Sequence, residues 1–474
     1  CLSAVVCMTR RSGVNYEPYH CRLRIFYDVV GKFRDGRDTP TAYLERCLKT
    51  IEEKEPEVRA WVVLDIEKAR IAANESTARY QAGQPLSTID GMPIGIKDVI
   101  QTKDMPTALG SPIYEGRQTH MDSASVNALR LAGAIILGKT VTTEFAFVSP
   151  GPTTNPFHAQ RTPGGSSSGS AAAVGAGMIP AALGNQVVGS VIRPAAYCGN
   201  FAIKPTLGAL HCGEGLSLSQ LHLGVHAGSL VDMWSVSYEI AQRAGADPGY
   251  PGLFGPLELA KPTQPHTLIV LETEGWSQCD ATTSTAFESI LDQLTALGVE
   301  LVTRRDYPEI EQFEQNIEGS MVLCRKLCSY EIRWALRHYQ STGLLGEDLN
   351  LWLEMAESMT LNDYREALEK RELMITSLAS LKDLASAMIT LSAPGPAPPL
   401  GELTPSGESA YAFKTGSPAF NAVTSALGSP ALTLPLAAIG GLPLGIQLIS
   451  QPHTDWNLTG YGNWLQQSIQ TVST

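Results

Sequence analysis

RTPGGSSSGSAAAVGAGMIPAALGNQVVGSVIRPAA (residues 161–196) carries two glycine–serine clusters joined by a run of small apolar residues. Glycine lets a backbone approach a ligand closely and reach conformations closed to other residues. Serine supplies hydroxyls for hydrogen bonding or nucleophilic attack. A glycine–serine linker would not continue into AAAVGAGMIPAALG (171–184), so the segment reads as a site inside a folded core. Outward from it, residues 93–99 (PIGIKDV) and 134–137 are short apolar strand candidates, separated by the helical stretch 125–133. Residues 39–53 predict a helix opened by Thr39-Pro40, and 65–81 a second one. Residues 231–245, 282–297 and much of 310–381 are helical in pattern, whereas 267–271, 387–391, 431–434 and 444–449 read as strands. The proline-rich stretch 392–409 is a loop. Strand material lies on both sides of the helical middle, which predicts one α/β domain.

The composition describes a protein with a large core: 474 residues, 43% apolar, 17% charged. A net charge of −12 argues against nucleic acid as a partner, since phosphate binding needs a basic face. No run reaches the ~18–20 apolar residues that span a bilayer, so no membrane partner is expected. The nine cysteines (Cys1, Cys7, Cys21, Cys47, Cys198, Cys212, Cys279, Cys324 and Cys328) are scattered and form no CxxC pair. They read as reduced core residues, which predicts a cytoplasmic location. The chain starts at Cys1, the LSAVV that follows is too short for a signal peptide, and Met8 is a candidate start.

Three motifs compete for the chemistry. GAIILGKT (133–140) matches the phosphate-loop pattern, but AIIL reads as a strand rather than a flexible loop. GSSSG (165–169) has the shape of a nucleophile elbow centred on Ser167, yet no hydrophobic strand precedes it, and an acid and a histidine such as His453 would have to follow. Lys97 lies in the apolar run IGIKDVI (94–100). A lysine there either pairs with an acid or, if desolvated, loses its proton and becomes a general base as its pKa falls from ~10.4 toward ~7–8. Arg193 nearby would favour the neutral amine, and Asp98 would oppose it if its carboxylate faced the nitrogen. His211, His222 and His226 alternate through a loop–strand stretch, and Cys324 and Cys328 stand one helical turn apart. Neither set completes a ligand sphere, so no metal and no cofactor are expected.

GMPIGIKDVIQTKDMPTALGS (91–111), GKTVTTEFAF (138–147), NPFHAQRTPGGSSSGSAAAVGAG (155–177) and GNQVVGSVIRPAAYCGNFAIKPTLG (184–208) together resemble the amidase signature family. SPAFNAVTSALGSPALTLPLAAIGGLPLGIQLIS (417–450) is similar to that family's closing sheet segment. The resemblance implies a single large α/β domain over residues 35–474, with a central twisted mixed β-sheet covered by helices on both faces. Residues 1–34 would be an N-terminal extension, and about 305–385 a variable helical region.

It also implies a serine–cis-serine–lysine triad: Lys97 as base, Ser166 as a relay following a cis peptide bond, and Ser190 as nucleophile. The backbone N–H groups of Val187, Val188 and Gly189 would hold the oxyanion, and Ser167 and Arg193 would support the loop. The family's usual run is close to G-T-(D/Q)-T-(G/A)-G-S, whereas this chain has Asn185, Val187 and Val188, which puts the width of the pocket in question. The segment 211–229 departs further, lacking the family's Arg-Val-Ser and Asp-containing pattern. The implied activity is hydrolysis of small-molecule amides through a seryl acyl-enzyme, with esters and carbamates as further acyl donors. A glutaminase subunit of a tRNA-dependent amidotransferase and a catalytically silent binding protein are the rivals. A homodimer is the self-association this reading allows.

Overall fold

The computed structural model describes residues 23–213, 218–403 and 413–474. Cys1, Cys7, Cys21, Met8, residues 1–22 of the expected extension and 404–409 of the proline-rich loop lie outside them. Among the described residues one sheet of 12 strands runs through the molecule. Its strands are β1 (Trp61–Leu64), β2 (Pro93–Lys97), β3 (Ile135–Thr140), β4 (Ala181–Gln186), β5 (Phe201–Lys204) and β6 (His222–Ala227). The second half adds β7 (Thr267–Val270), β8 (Glu300–Val302), β9 (Ala387–Leu391), β10 (Ala431–Ile439), β11 (Leu442–Ile449) and β12 (Val472–Ser473). The order is β1-β3-β2-β4-β6-β5-β10-β11-β9-β7-β8, with β12 on β10. β2 runs parallel to β3 and β4, whereas β4–β6, β5–β6, β5–β10 and β10–β11 are antiparallel, so the sheet is mixed.

The helices are α1 (Tyr27–Arg34), α2 (Pro40–Val58), α3 (Ile66–Gln81), α4 (Ala124–Leu131), α5 (Ser168–Gly175), α6 (Ile192–Cys198) and α7 (Leu230–Ala244). They continue with α8 (Ala281–Ala296), α9 (Pro308–Ile317), α10 (Ser320–Gln340), α11 (Glu347–Ser358), α12 (Leu361–Ala379), α13 (Ala422–Leu427) and α14 (Asp455–Ser468). The start of α2 follows its sequence: the Thr39 side chain accepts from Ala42 N, and Pro40 occupies the first turn, where its missing N–H costs nothing. Alternate residues of β3 and β4 enter different apolar clusters. Ile136 and Leu183 join Val126 and Leu129 of α4 and Met233 of α7. Ile135, Leu137 and Ala182 join Leu44 of α2, Ala73 of α3 and Ala171–Val174 of α5. The strand period of two thus buries both faces of the sheet under helices.

One expectation changes, and one expected strand proves longer. Residues 23–34, expected in the extension, form α1 and pack into the core through Phe26, Val30 and Phe33. Buried Asp232 of α7 accepts from Phe26 N (2.8 Å) and Tyr27 N (3.0 Å), tying this segment down. The GKT of the phosphate-loop pattern is strand: β3 continues through Thr140, and Lys139 is fully buried against Asp98 at 3.0 Å. β4 escaped the sequence reading because AALGNQ has no β-branched residue. It is a strand because β2 and β6 pair with it on either side.

Small residues let α5 settle onto the strands. A Cβ on Gly169 would lie 2.2 Å from Ala60 O and 2.4 Å from Val141 N, both backbone atoms. Gly169→Ala should therefore lower the thermal midpoint, at a cost of about 1–3 kcal/mol typical of overpacking. Exposed Gly31, inside α1 with nothing within 4 Å of its Cβ position, is the control. Gly31→Ala should raise the midpoint, by about 0.5–1 kcal/mol of helix preference. Thermal unfolding of the two variants side by side checks both signs.

Candidate active site

Parallel pairing of β2 with β4, in the register Ile96↔Leu183, brings Lys97 at the end of β2 beside the Gly184–Asn185 end of β4. Lys97 is fully buried, and its Nζ lies 2.7 Å from Ser166 Oγ. Nζ also donates to Asn185 Oδ1 (2.6 Å) and to the Asn185 carbonyl (3.4 Å). No ion pair involves Lys97 among the described residues. Asp98, the neighbour that could have opposed a neutral amine, turns away: it pairs with Lys139 and accepts from Ala108 N. Burial therefore holds the Lys97 amine well below the ordinary lysine range. Burial likewise pushes the His226 imidazole on β6 down to about 3, so it carries no charge beside Lys97.

The loop carrying Ser166 is held from several sides. The Gly165–Ser166 peptide bond is cis. Arg193 Nη2 donates to the Gly165 carbonyl (2.6 Å) and to Thr415 Oγ1 (3.1 Å), and Thr143 N donates to the Ser166 carbonyl (3.3 Å). Burial brings Arg193 down to about 10, which leaves it charged at neutral pH. Ser167 is no elbow nucleophile, because it precedes the first turn of α5 and is fully buried. Its N–H donates to the Ser190 carbonyl (3.3 Å) and its Oγ to the Asn185 carbonyl (3.3 Å), joining the first glycine–serine cluster to the second.

Ser190 lines a cleft beside the end of β4. The turn before it is shaped by Gln186, whose Oε1 accepts from Val191 N (2.9 Å) and Ile192 N (3.1 Å). Among the described residues, the N–H groups of Val187, Val188 and Gly189 donate to no protein acceptor. A Cβ on Gly189 would lie 2.8 Å from Asn421 Oδ1 and 2.9 Å from Pro418 Cβ, so the turn passes close beneath α13 and the segment before it. Both valines are half-buried and line the cleft, as do Phe145, Phe147, Trp352 and Phe413. Phe145 and Ala146 hold left-handed backbone (φ 48° and 62°), and Phe147 packs edge-on against Trp352 of α11. Cys328 of α10 completes this wall.

All eight residues singled out from the sequence meet at this one place, around the ends of β2 and β4. Sequence reasoning missed Gln186 and the role of Asn185, whose only signal was departure from a familiar run. It also missed the aromatic wall. His222 and His226 bond through Nδ1 to Gln220 O and Asn200 Oδ1, and no cluster of three metal-ligating side chains occurs among the described residues. His453 packs against Phe254 instead.

A glutamyl-tRNA(Gln) amidotransferase subunit of Chloroflexus aggregans is 31% identical over 470 residues, covering 91% of this chain and 93% of that protein. A solved amidase superposes with a TM-score of 0.78 at 27% identity, over 94% of this chain and 98% of its own. A 6-aminohexanoate cyclic dimer hydrolase shares the fold, with a TM-score of 0.79 at 22% identity over 94% and 97% of the two chains. The amidase profile matches residues 42–458, and with the sheet and likeness along nearly its whole length, this chain belongs to the amidase (amidase signature) family.

Proposed function

We propose that this protein hydrolyses carboxylic amides through an acyl-enzyme on Ser190, with Ser166 as proton relay and Lys97 as base. One observation carries the reading: a buried lysine amine, with no carboxylate partner among the described residues, stands 2.7 Å from the Ser166 hydroxyl. As Ser190 Oγ attacks the carbonyl carbon, its proton passes to Ser166 Oγ while the Ser166 proton passes to Lys97 Nζ. The N–H groups of Val187, Val188 and Gly189 receive the developing oxyanion. Loss of one such donor typically raises the barrier by ~2.7–4 kcal/mol. The protons then return along the relay to the leaving nitrogen, which departs as amine, and water repeats the attack on the ester.

The cleft wall supports an apolar acyl group or leaving amine, because phenylalanine, tryptophan and valine side chains dominate it. Likeness to amidotransferase subunits favours a second reading, in which the amide is that of glutamine and the ammonia passes to a partner. Free glutamine would bring an ammonium and a carboxylate into the cleft, where Arg193 is the one charged side chain among the described lining residues. Parallel assays of apolar anilides, esters, carbamates and glutamine separate the two. Faster turnover of anilides supports the first reading. Ammonia release from glutamine, with co-purification of a second protein, supports the other. Fluorophosphonate labelling of the wild type above Ser190→Ala excludes a silent binding protein.

Activity should rise with pH as Lys97 loses its proton, with a midpoint well below the ~10.4 of a free lysine, because burial depresses the folded-state value. Lys97→Ala should cost about 10²–10⁴-fold on amides and less on esters of the same acid, since an amine leaves poorly without a returned proton. Equal loss on both would count against the relay. Val188→Gly should widen the cleft beside Ser190 and raise kcat/KM for branched acyl groups over acetyl by about tenfold or more, read from paired anilides.

A further inference from the structure

Lys97 Nζ has three polar neighbours, and two of them belong to one residue. Asn185 offers its side-chain Oδ1 at 2.6 Å and its backbone carbonyl at 3.4 Å, and the third neighbour is Ser166 Oγ at 2.7 Å. A neutral amine carries two N–H donors and one lone pair. Carbonyl oxygens only accept, so the two on Asn185 can engage only the two N–H groups. The lone pair is then left facing the Ser166 hydroxyl, the orientation a base needs.

We infer that Asn185 is the positioning residue of the base, its two carbonyl oxygens taking the amine's N–H groups and turning the lone pair onto Ser166. This rests on Lys97 being the base. Asn185 is buried at the end of β4, and its carbonyl is fixed in turn by the Ser167 hydroxyl at 3.3 Å. The family's usual threonine at this position has a hydroxyl that can donate as well as accept, so it orients an amine less strictly. A carboxamide also orients without adding charge, whereas a carboxylate would hold the proton on Lys97. The remaining charged and titratable groups around the lysine are otherwise engaged or neutral. Asp98 of the following loop pairs with Lys139 of β3, His226 of β6 is uncharged, and Arg193 of α6 is bonded to Gly165 O.

The test compares Asn185→Leu, Asn185→Thr and Asn185→Asp in the full chain, with kcat, KM and the pH midpoint of kcat/KM measured on one anilide. Circular dichroism checks folding. For Asn185→Leu we expect kcat to fall about 10–100-fold with KM changed less than about threefold, because orientation rather than substrate binding is lost. Its midpoint should move to lower pH, since a carbonyl holds an ammonium more strongly than an amine. Asn185→Thr should recover most of kcat. Asn185→Asp should move the midpoint to higher pH, by putting a negative charge beside the base. A folded Asn185→Leu with wild-type kcat and midpoint overturns the proposal. If that variant does not fold, an unshifted midpoint in Asn185→Asp overturns it. Lys97→Ala with undiminished amidase activity would instead remove the underlying reading of the lysine.

Discussion

A lysine amine buried without a counter-charge is the constraint around which this molecule is organised. An ammonium in such a place would lose its hydration with no ion pair in return, and the neutral form is the cheaper solution. That outcome depends on where Asp98 points. One residue beyond Lys97, its carboxylate is taken by Lys139 on the neighbouring parallel strand at 3.0 Å, with both side chains buried. Asp98 stands just past the end of β2, in the turn, and its carboxylate swings to Lys139, so an acid and a base that are neighbours in sequence are kept apart. The Asp98–Lys139 pair thus serves the site by absorbing the nearest acid. Removing either partner would leave a buried charge alone, a loss that elsewhere amounts to ~3–5 kcal/mol.

The small residues of the two glycine–serine clusters have a packing reason as well as a chemical one. α5 lies against strand backbones that leave no room for a Cβ at Gly169, and the turn before Ser190 passes so near Asn421 and Pro418 that Gly189 has no room for one either. Close packing fixes the positions of the backbone, and polar anchors fix its orientation. Arg193 grips the carbonyl of the cis peptide, Gln186 grips the turn beside Ser190, and Ser167 bridges the two. Each such hydrogen bond counts for more in a dry interior, where an unmet partner is costly.

The cleft is assembled differently from the lysine–serine cluster. Its floor comes from the sheet ends, but its wall comes from the loop after β3, from α10 and α11, and from Phe413. Glu144 accepts from Gly346 N, and Asp348 accepts from both Ser149 Oγ and Lys414 Nζ, linking the β3 loop, the entry to α11 and the segment after residue 412. The buried lysine–serine cluster therefore sits at the sheet ends, while the cleft wall is gathered from a loop, two helices of the middle region and the segment after residue 412.

Half of the sheet was legible: β2, β3, β7, β9, β10 and β11 carry apolar runs of strand length, whereas β1, β5, β6, β8 and β12 did not stand out. β4 was not, since its alanines and glycine become a strand only between two partners. The helix α1 was hidden because its fixing contacts come from Asp232, 206 residues away from Phe26. Lys97, Ser166 and Ser190 could be singled out from their motifs, and the structure gathers them around the ends of β2 and β4. Sequence by itself determined the family and the candidate residues. Tertiary structure decided the partner of Asp98, the role of Asn185 and the apolar wall, because contacts spanning 69 residues (Lys97 to Ser166) and 88 residues (Lys97 to Asn185) depend on how strands align in the sheet.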